Sequence, residues 1–308
     1  MPRIARLFVK GEELVYHIIS RTALDGYVIE EADKDYFVDL LKHLSNIYFV
    51  EVMGFSVMGN HFHLVVRMKS SEGISDEEIK QRFDSYYNKD KKETDKAFAE
   101  GQIPCLRQKW SNLSEYVKDI KQNFSCYYNK KHKRKGYFWS DRFKSVLVED
   151  GHTLINCLAY VELNACRAGI VKKPENYRWC SLGYHVQTGN SGGFLSLNFG
   201  LAYVKTNNAE KRLRRYREFV YRKGGLEILD NDIVKKEEER DFEISTSEQF
   251  LYKTRYFTDS GIIGSKEFVK KYYDRFKSLF TSQDKEPKVV KGLNGIYSLK
   301  RLSENAVQ

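Results

Sequence analysis

The 308-residue chain reads as an α+β protein: a ferredoxin-like antiparallel sheet with helices on one face, followed by a mainly helical C-terminal extension. Short β-branched runs occur at 14–21, 49–58, 61–68 and 143–148, and such runs bounded by turn residues are strand signals. Segments with apolar residues at helical spacing separate the first run from the second and the third from the fourth. The resulting order, strand, helix, strand, strand, helix, strand, is the split β-α-β layout.

Each element has its own signal. Leu-Val-Tyr-His-Ile-Ile-Ser-Arg at 14–21 is apolar and β-branched, and Gly26 then marks a turn. Phe37, Leu40, Leu41, Leu44 and Tyr48 predict an amphipathic helix over 32–47 packed on that strand. A nearly continuous strand follows at 49–58, and Gly59-Asn60 is a two-residue hairpin signal leading into the strand from His61. The stretch 69–109 loosens into charged residues and is expected to be an exposed insertion. Leu113, Tyr116, Val117, Ile120 and Phe124 predict a helix opened by Ser111 or Ser114. A short strand at 143–148 and a helix from Thr153 to about Ala168, stopped by Gly169, complete the domain. The expected organisation is one domain over 1–190 and a basic extension over 191–308.

Composition narrows the function classes. Lys and Arg number 52 against 42 Asp and Glu, a net charge of +10, which favours a polyanionic partner. The five cysteines form no Cys-x-x-Cys pair, so neither a zinc ribbon nor a disulfide framework is indicated. No apolar run reaches the ~20 residues of a membrane span, and residues 1–6 lack a signal-peptide core. The expectation is a soluble cytoplasmic protein with no membrane association.

The most informative stretch is Gly59-Asn-His-Phe-His-Leu-Val-Val-Arg-Met68. Strand alternation puts Phe62, Leu64, Val66 and Met68 on one side and His61, His63, Val65 and Arg67 on the other. The two histidines then stand ~7 Å apart along the strand, within reach of a single divalent metal. On the later helix, Asn156, Tyr160 and Asn164 recur at i+4, aligning a hydroxyl with amides along one edge. With 21 tyrosines in the chain, that spacing alone does not single out Tyr160.

Three blocks together carry a resemblance: Val57-Met-Gly-Asn-His-Phe-His-Leu-Val-Val66, Gly136-Tyr-Phe-Trp-Ser-Asp-Arg-Phe-Lys-Ser145 within 129–145, and Tyr160-Val-Glu-Leu-Asn-Ala-Cys-Arg-Ala-Gly-Ile-Val171. In order and spacing they resemble the REP-associated tyrosine transposases, members of the single-tyrosine His-hydrophobe-His DNA nucleases. Tyr177-Arg-Trp-Cys-Ser181 matches as well, so the likeness covers about 14–185. The resemblance implies that His61 and His63 hold Mg²⁺ or Mn²⁺, that Asn164 completes the metal site and that Tyr160 is the nucleophile. It further implies cleavage and strand transfer on single-stranded or hairpin (palindromic repeat) DNA through a 5′-phosphotyrosine, by a monomer or a homodimer. The family commonly has Asn-Pro where this chain has Asn164-Ala165.

Basic residues cluster where such a substrate needs them. Lys121, Lys130, Lys131, Lys133, Arg134, Lys135, Arg142 and Lys144, interleaved with aromatics including Trp139, have the composition of a single-strand or hairpin groove. Arg212, Arg214 and Arg215 add a second basic segment within 211–223, and 235–241 is charged. Gly261-Ile-Ile-Gly-Ser-Lys-Glu-Phe-Val269 resembles a tail segment of longer family members. Tyr127 and Tyr128 are rival nucleophiles in a basic helix, without an asparagine at i+4. The alternative function is a catalytically silent nucleic-acid-binding protein using the basic and aromatic surface alone.

Overall fold

The structure is a computed structural model that describes residues 7–9, 11–87, 98–198, 208–221, 256–280, 285–290 and 293–299. The charged stretches 89–96 and 235–241 and the basic residues 222–223 lie outside the described residues. Strand β1 (Leu14–Arg21) leads to helix α1 (Glu31–Ser45), strands β2 (Val50–Val57) and β3 (His61–Met68), helices α2 (Asp76–Tyr87), α3 (Ile103–Trp110) and α4 (Leu113–Lys131), and strand β4 (Lys144–Val148). These four strands lie in the order β2-β3-β1-β4, antiparallel throughout. That is the expected ferredoxin-like arrangement.

Helix α4 begins at Asn112 rather than at either serine, because the Asn112 side chain accepts hydrogen bonds from the Ser114 and Glu115 amides. The described residues of the 69–109 segment are docked, not loose. Ile79 and Phe83 of α2 and Leu106 and Trp110 of α3 are buried. Tyr86 donates to Asp119 at 2.6 Å and Lys109 pairs with the same carboxylate at 3.3 Å.

Strand alternation divides the sheet into two unlike faces. Phe62 packs against Phe37 of α1 and Trp139, which in turn meets Phe124 of α4. Across β1, β3 and β4, the opposite face carries Val15, His17, His63, Val65 and Val146, all buried. Helix α5 (His152–Glu162) covers it, so helices occupy both faces of the sheet rather than one. Gly54 admits this layer: it sits where the β2–β3 register shifts, and a Cβ there would lie 2.6 Å from Leu158 Cδ2 of α5.

The expected single helix over 153–168 is two. Helix α5 ends at Glu162, Leu163 leaves helical geometry, and α6 (Asn164–Arg167) follows before Gly169 turns the chain at φ +69°. Arg167 Nη1 donates to the Tyr160 carbonyl at 2.6 Å, where a continuous helix would present the Asn164 N–H.

Beyond 190 the described residues supply strands as well as helices. Helix α8 (Ala209–Tyr221) follows α7 (Ser181–Thr188) and packs on α5, while α9 (Tyr256–Asp259), β5 (Ile262–Gly264), α10 (Lys266–Arg275), β6 (Lys288–Val289) and β7 (Tyr297–Ser298) continue the chain. The sheet extends to β2-β3-β1-β4-β5-β7-β6, with β5 parallel to β4. The β-branched pair Ile262-Ile263 is fully buried there, which is why this stretch joins the sheet instead of forming helix. Among the described residues no helix is long and apolar enough to cross a membrane.

Glu162 joins these layers. It is fully buried and accepts hydrogen bonds from Ser181 Oγ (2.5 Å), the Leu182 amide (2.9 Å) and Tyr216 of α8 (3.0 Å). Burial outweighs those donors and raises its pKa to about 7. Between pH 4.5 and 7 the folded chain keeps a proton that the unfolded chain has released, so this group's contribution to stability falls as pH rises through that window, by about 3 kcal/mol. Replacing Glu162 with Gln removes the term. Urea unfolding of both proteins is expected to show the Gln variant gaining on wild type as pH rises from 4.5 to 8; a pH-independent difference refutes it.

Candidate active site

His61 and His63 open β3 on the face beneath α5, and Tyr160 descends from α5 onto them. The His61 and His63 rings lie 5.1 Å apart between centroids, and Tyr160 meets His63 edge-on at 5.9 Å. One chain therefore brings the histidine pair and the tyrosine together. Asn164, carried by the break after α5, reaches His61 with its Nδ2 at 3.2 Å from Nε2.

Hydrogen bonds fix the state of both imidazoles. His61 Nδ1 lies 2.7 Å from the side-chain oxygen of Asn60 in the hairpin turn. That oxygen only accepts, so Nδ1 carries the proton and Nε2 the lone pair. His63 Nδ1 lies 2.9 Å from His17 Nε2 on the neighbouring strand. Burial holds His17 and His61 neutral, lowering each to about 4, and pushes His63 well below the ordinary histidine value. The half-buried Arg167 guanidinium acts in the same direction on all three.

Arg167 is the hub of the tyrosine side. Besides the Tyr160 carbonyl, it donates from Nη2 to Asn164 Oδ1 at 3.1 Å, and its guanidinium lies 4.0 Å from the Tyr160 ring centroid. Phe257 of α9 closes the far side, 5.6 Å from Tyr160 ring to ring.

Two neutral imidazoles side by side are the donor type a divalent cation takes. His61 has the tautomer that leaves Nε2 for a metal, with Asn60 as its orienting partner. Asn164 fits less well. A guanidinium offers no acceptor, so the amide oxygen faces Arg167 and the N–H faces His61; the orientation holds a histidine rather than presenting a ligand oxygen. Among the described residues no three His, Cys, Asp or Glu side chains converge in metal-binding geometry.

The basic residues separate into groups. Lys130, Lys133, Lys135 and Arg142 are exposed, and Arg134 is half-buried. Lys131 pairs with the fully buried Asp33 at 2.7 Å, and Lys144 with Asp259 at 3.5 Å. Trp139 belongs mainly to the core, donating its indole N–H to the Lys121 carbonyl, and only its edge lines a cleft of about 450 Å³ with Lys118, Lys121, Gln122 and Arg142. Tyr137 beside it is 90% exposed. On α8, Arg214 and Arg215 are exposed and Arg212 is half-buried; Arg214 lies opposite the buried Tyr216 and Phe219, whereas Arg212 shares their side of the helix.

Sequence reasoning missed His17, Asn60, Arg167 and Phe257 as site residues. His17 carried a usable signal, since alternation along β1 puts it on one face with Val15 and Ile19, and Ile19 pairs with His63. Nothing local marks Phe257.

Comparison with known proteins bears on β1 to β3. The family model described as "Transposase IS200 like" matches residues 10–103, about a third of the chain, ending before the tyrosine. No curated protein matches the chain. A solved structure of a REP-associated tyrosine transposase bound to a REP hairpin is similar at 13% identity and TM-score 0.42, covering 61% of this chain and 87% of that one. Over 10–103, the stretch holding β1 and both site histidines of β3, the chain is similar to the IS200-like transposases.

Proposed function

We propose that the protein is a metal-dependent, single-tyrosine DNA nuclease and strand transferase acting on single-stranded or hairpin DNA. The observation that carries this reading is the Tyr160 ring 5.9 Å from His63 in the same chain, beside the neutral His61–His63 pair. The Tyr160 oxygen attacks the scissile phosphorus, forming the phosphotyrosine O–P bond as the P–O3′ bond breaks. The phenolic proton is released and the departing 3′ oxygen is protonated to a 3′-OH. His61 and His63 would hold Mg²⁺ or Mn²⁺, which when bound polarises the phosphate and stabilises charge on the leaving oxygen. Arg167 holds the tyrosine from behind through its carbonyl and ring. Because the linkage conserves the phosphodiester bond energy, the reverse step joins a 3′-OH without ATP.

The test is a denaturant-resistant protein–DNA adduct on a labelled hairpin oligonucleotide with a single-stranded flank. We expect it with Mn²⁺ or Mg²⁺ and not with EDTA, and peptide mapping should place it on Tyr160. Binding without any adduct in the presence of metal overturns the catalytic reading in favour of a silent DNA-binding protein.

DNA is proposed to lie across the exposed Lys130, Lys133, Lys135 and Arg142 and the Tyr137 ring. Lys133→Glu with Lys135→Glu is expected to weaken binding to all sequences and to flatten the slope of log affinity against log salt by about 1–2, read by fluorescence anisotropy across a KCl series. An unchanged slope rules these lysines out. Lys131→Glu is a poor probe, since it leaves buried Asp33 facing another carboxylate.

A further inference from the structure

The Phe257 end of the series His63, His17, Phe257 permits only one placement of protons, and the rest follows from it. The Phe257 backbone carbonyl, 2.7 Å from His17 Nδ1, can only accept, so His17 Nδ1 carries hydrogen. His17 is fully buried, and a neutral imidazole with hydrogen on Nδ1 has its lone pair on Nε2. That lone pair faces His63 Nδ1 at 2.9 Å, so His63 donates from Nδ1. Its own lone pair is then on Nε2.

We infer that His17 is a positioning residue for His63: together with the Phe257 carbonyl it forms a directional hydrogen-bond relay that locks His63 in the tautomer able to bind a metal through Nε2. This rests on the metal reading of the histidine pair proposed above. A buried histidine bonded to a carbonyl is common enough as mere core. The distinguishing feature is direction, because the relay runs from a fixed acceptor to a site histidine and ends at the atom the chemistry needs. The His17 and His63 rings lie side by side, 20° from coplanar with centroids 5.1 Å apart, as an in-plane N–H···N bond requires, which fixes the plane of the ligand as well as its proton. An orienting partner on the non-ligating nitrogen is the usual support of a metal-bound histidine. Here it is itself a histidine.

The relay has a consequence for the C-terminal residues. Phe257 lies on α9, immediately before β5 extends the sheet beside β4. Its carbonyl anchors His17 and its ring packs on Tyr160 at 5.6 Å. The extension thus completes the catalytic face, touching both the tyrosine and, through His17, the histidine pair.

The experiment is long-range ¹H–¹⁵N correlation NMR on full-length, metal-free protein labelled in its seven histidines, with His63 assigned by a His63→Ala control, alongside Mn²⁺ titration followed by EPR of free Mn²⁺. In wild type, His63 is expected to carry its proton on Nδ1. In His17→Phe the acceptor is gone, so the His63 proton should move at least partly to Nε2, with Mn²⁺ affinity falling about 10–100-fold. His17→Gln, whose amide can both donate to the Phe257 carbonyl and accept from His63, should restore the Nδ1–H form and most of the affinity; it is also the variant that keeps the test standing should His17→Phe fail to fold. A wild-type His63 protonated on Nε2, or a His63 tautomer unchanged in His17→Phe, overturns the relay. A relay seen by NMR in a wild-type protein that binds no Mn²⁺ upholds the positioning and refutes the metal reading instead.

Discussion

Tyr160→Phe protein is expected to fold, to bind hairpin DNA with wild-type affinity and to form no denaturant-resistant adduct, a loss on the order of 10³-fold or more. Only an oxygen is removed. The ring keeps its contacts with His63, Phe257 and the Arg167 guanidinium, and Arg167 still bonds the Tyr160 backbone carbonyl. The rival tyrosines sit on the wrong side of the sheet. Tyr127 stacks on Tyr36 at 3.7 Å, and Tyr128 is buried and bonds the Val28 carbonyl, both on α4 against the Phe62 face. Neither Tyr127→Phe nor Tyr128→Phe should reduce the adduct through loss of a nucleophile. An adduct that survives Tyr160→Phe and vanishes in either of these would overturn the assignment.

Gly183→Ala is expected to cost about 3 kcal/mol or more, or to prevent folding. A Cβ at Gly183 would lie 2.1 Å from the Tyr177 carbonyl oxygen and 2.8 Å from its carbon, both backbone atoms that cannot rotate away. The loop cannot retreat easily, because Tyr177 is pinned by its hydroxyl to the Val57 carbonyl at 2.7 Å. Displacing α7 would also pull Ser181 and the Leu182 amide from buried Glu162. Gly101→Ala is the control: nothing lies within 4 Å of its added carbon, so a change within about 0.5 kcal/mol is expected. Urea denaturation of the two variants measures both. Equal stabilities would show that the 177–183 turn yields more readily than its packing implies.

By itself the sequence determined the four-strand core and half of the site. Strand and helix periods are local properties, so β1, β3 and α4 fall where apolar spacing puts them, and the hairpin at Gly59-Asn60 sets His61 and His63 on one face by alternation alone. Tyr160 was reached only through the resemblance of its surrounding block, since i+4 spacing among many tyrosines carries little information. What the tertiary structure alone decided are matters of which surfaces meet. The valines beside the histidines had to be covered, which brought α5 to the second face. The expected helix broke after Glu162, where Arg167 takes over the Tyr160 carbonyl. Exposed Lys131 also pairs with a buried aspartate, and Ile262-Ile263 joined the sheet beside β4. The His17–Phe257 bond spans 240 residues. No local pattern encodes such a contact, because it exists only after β5 has paired with β4 and carried the preceding turn onto the histidine face.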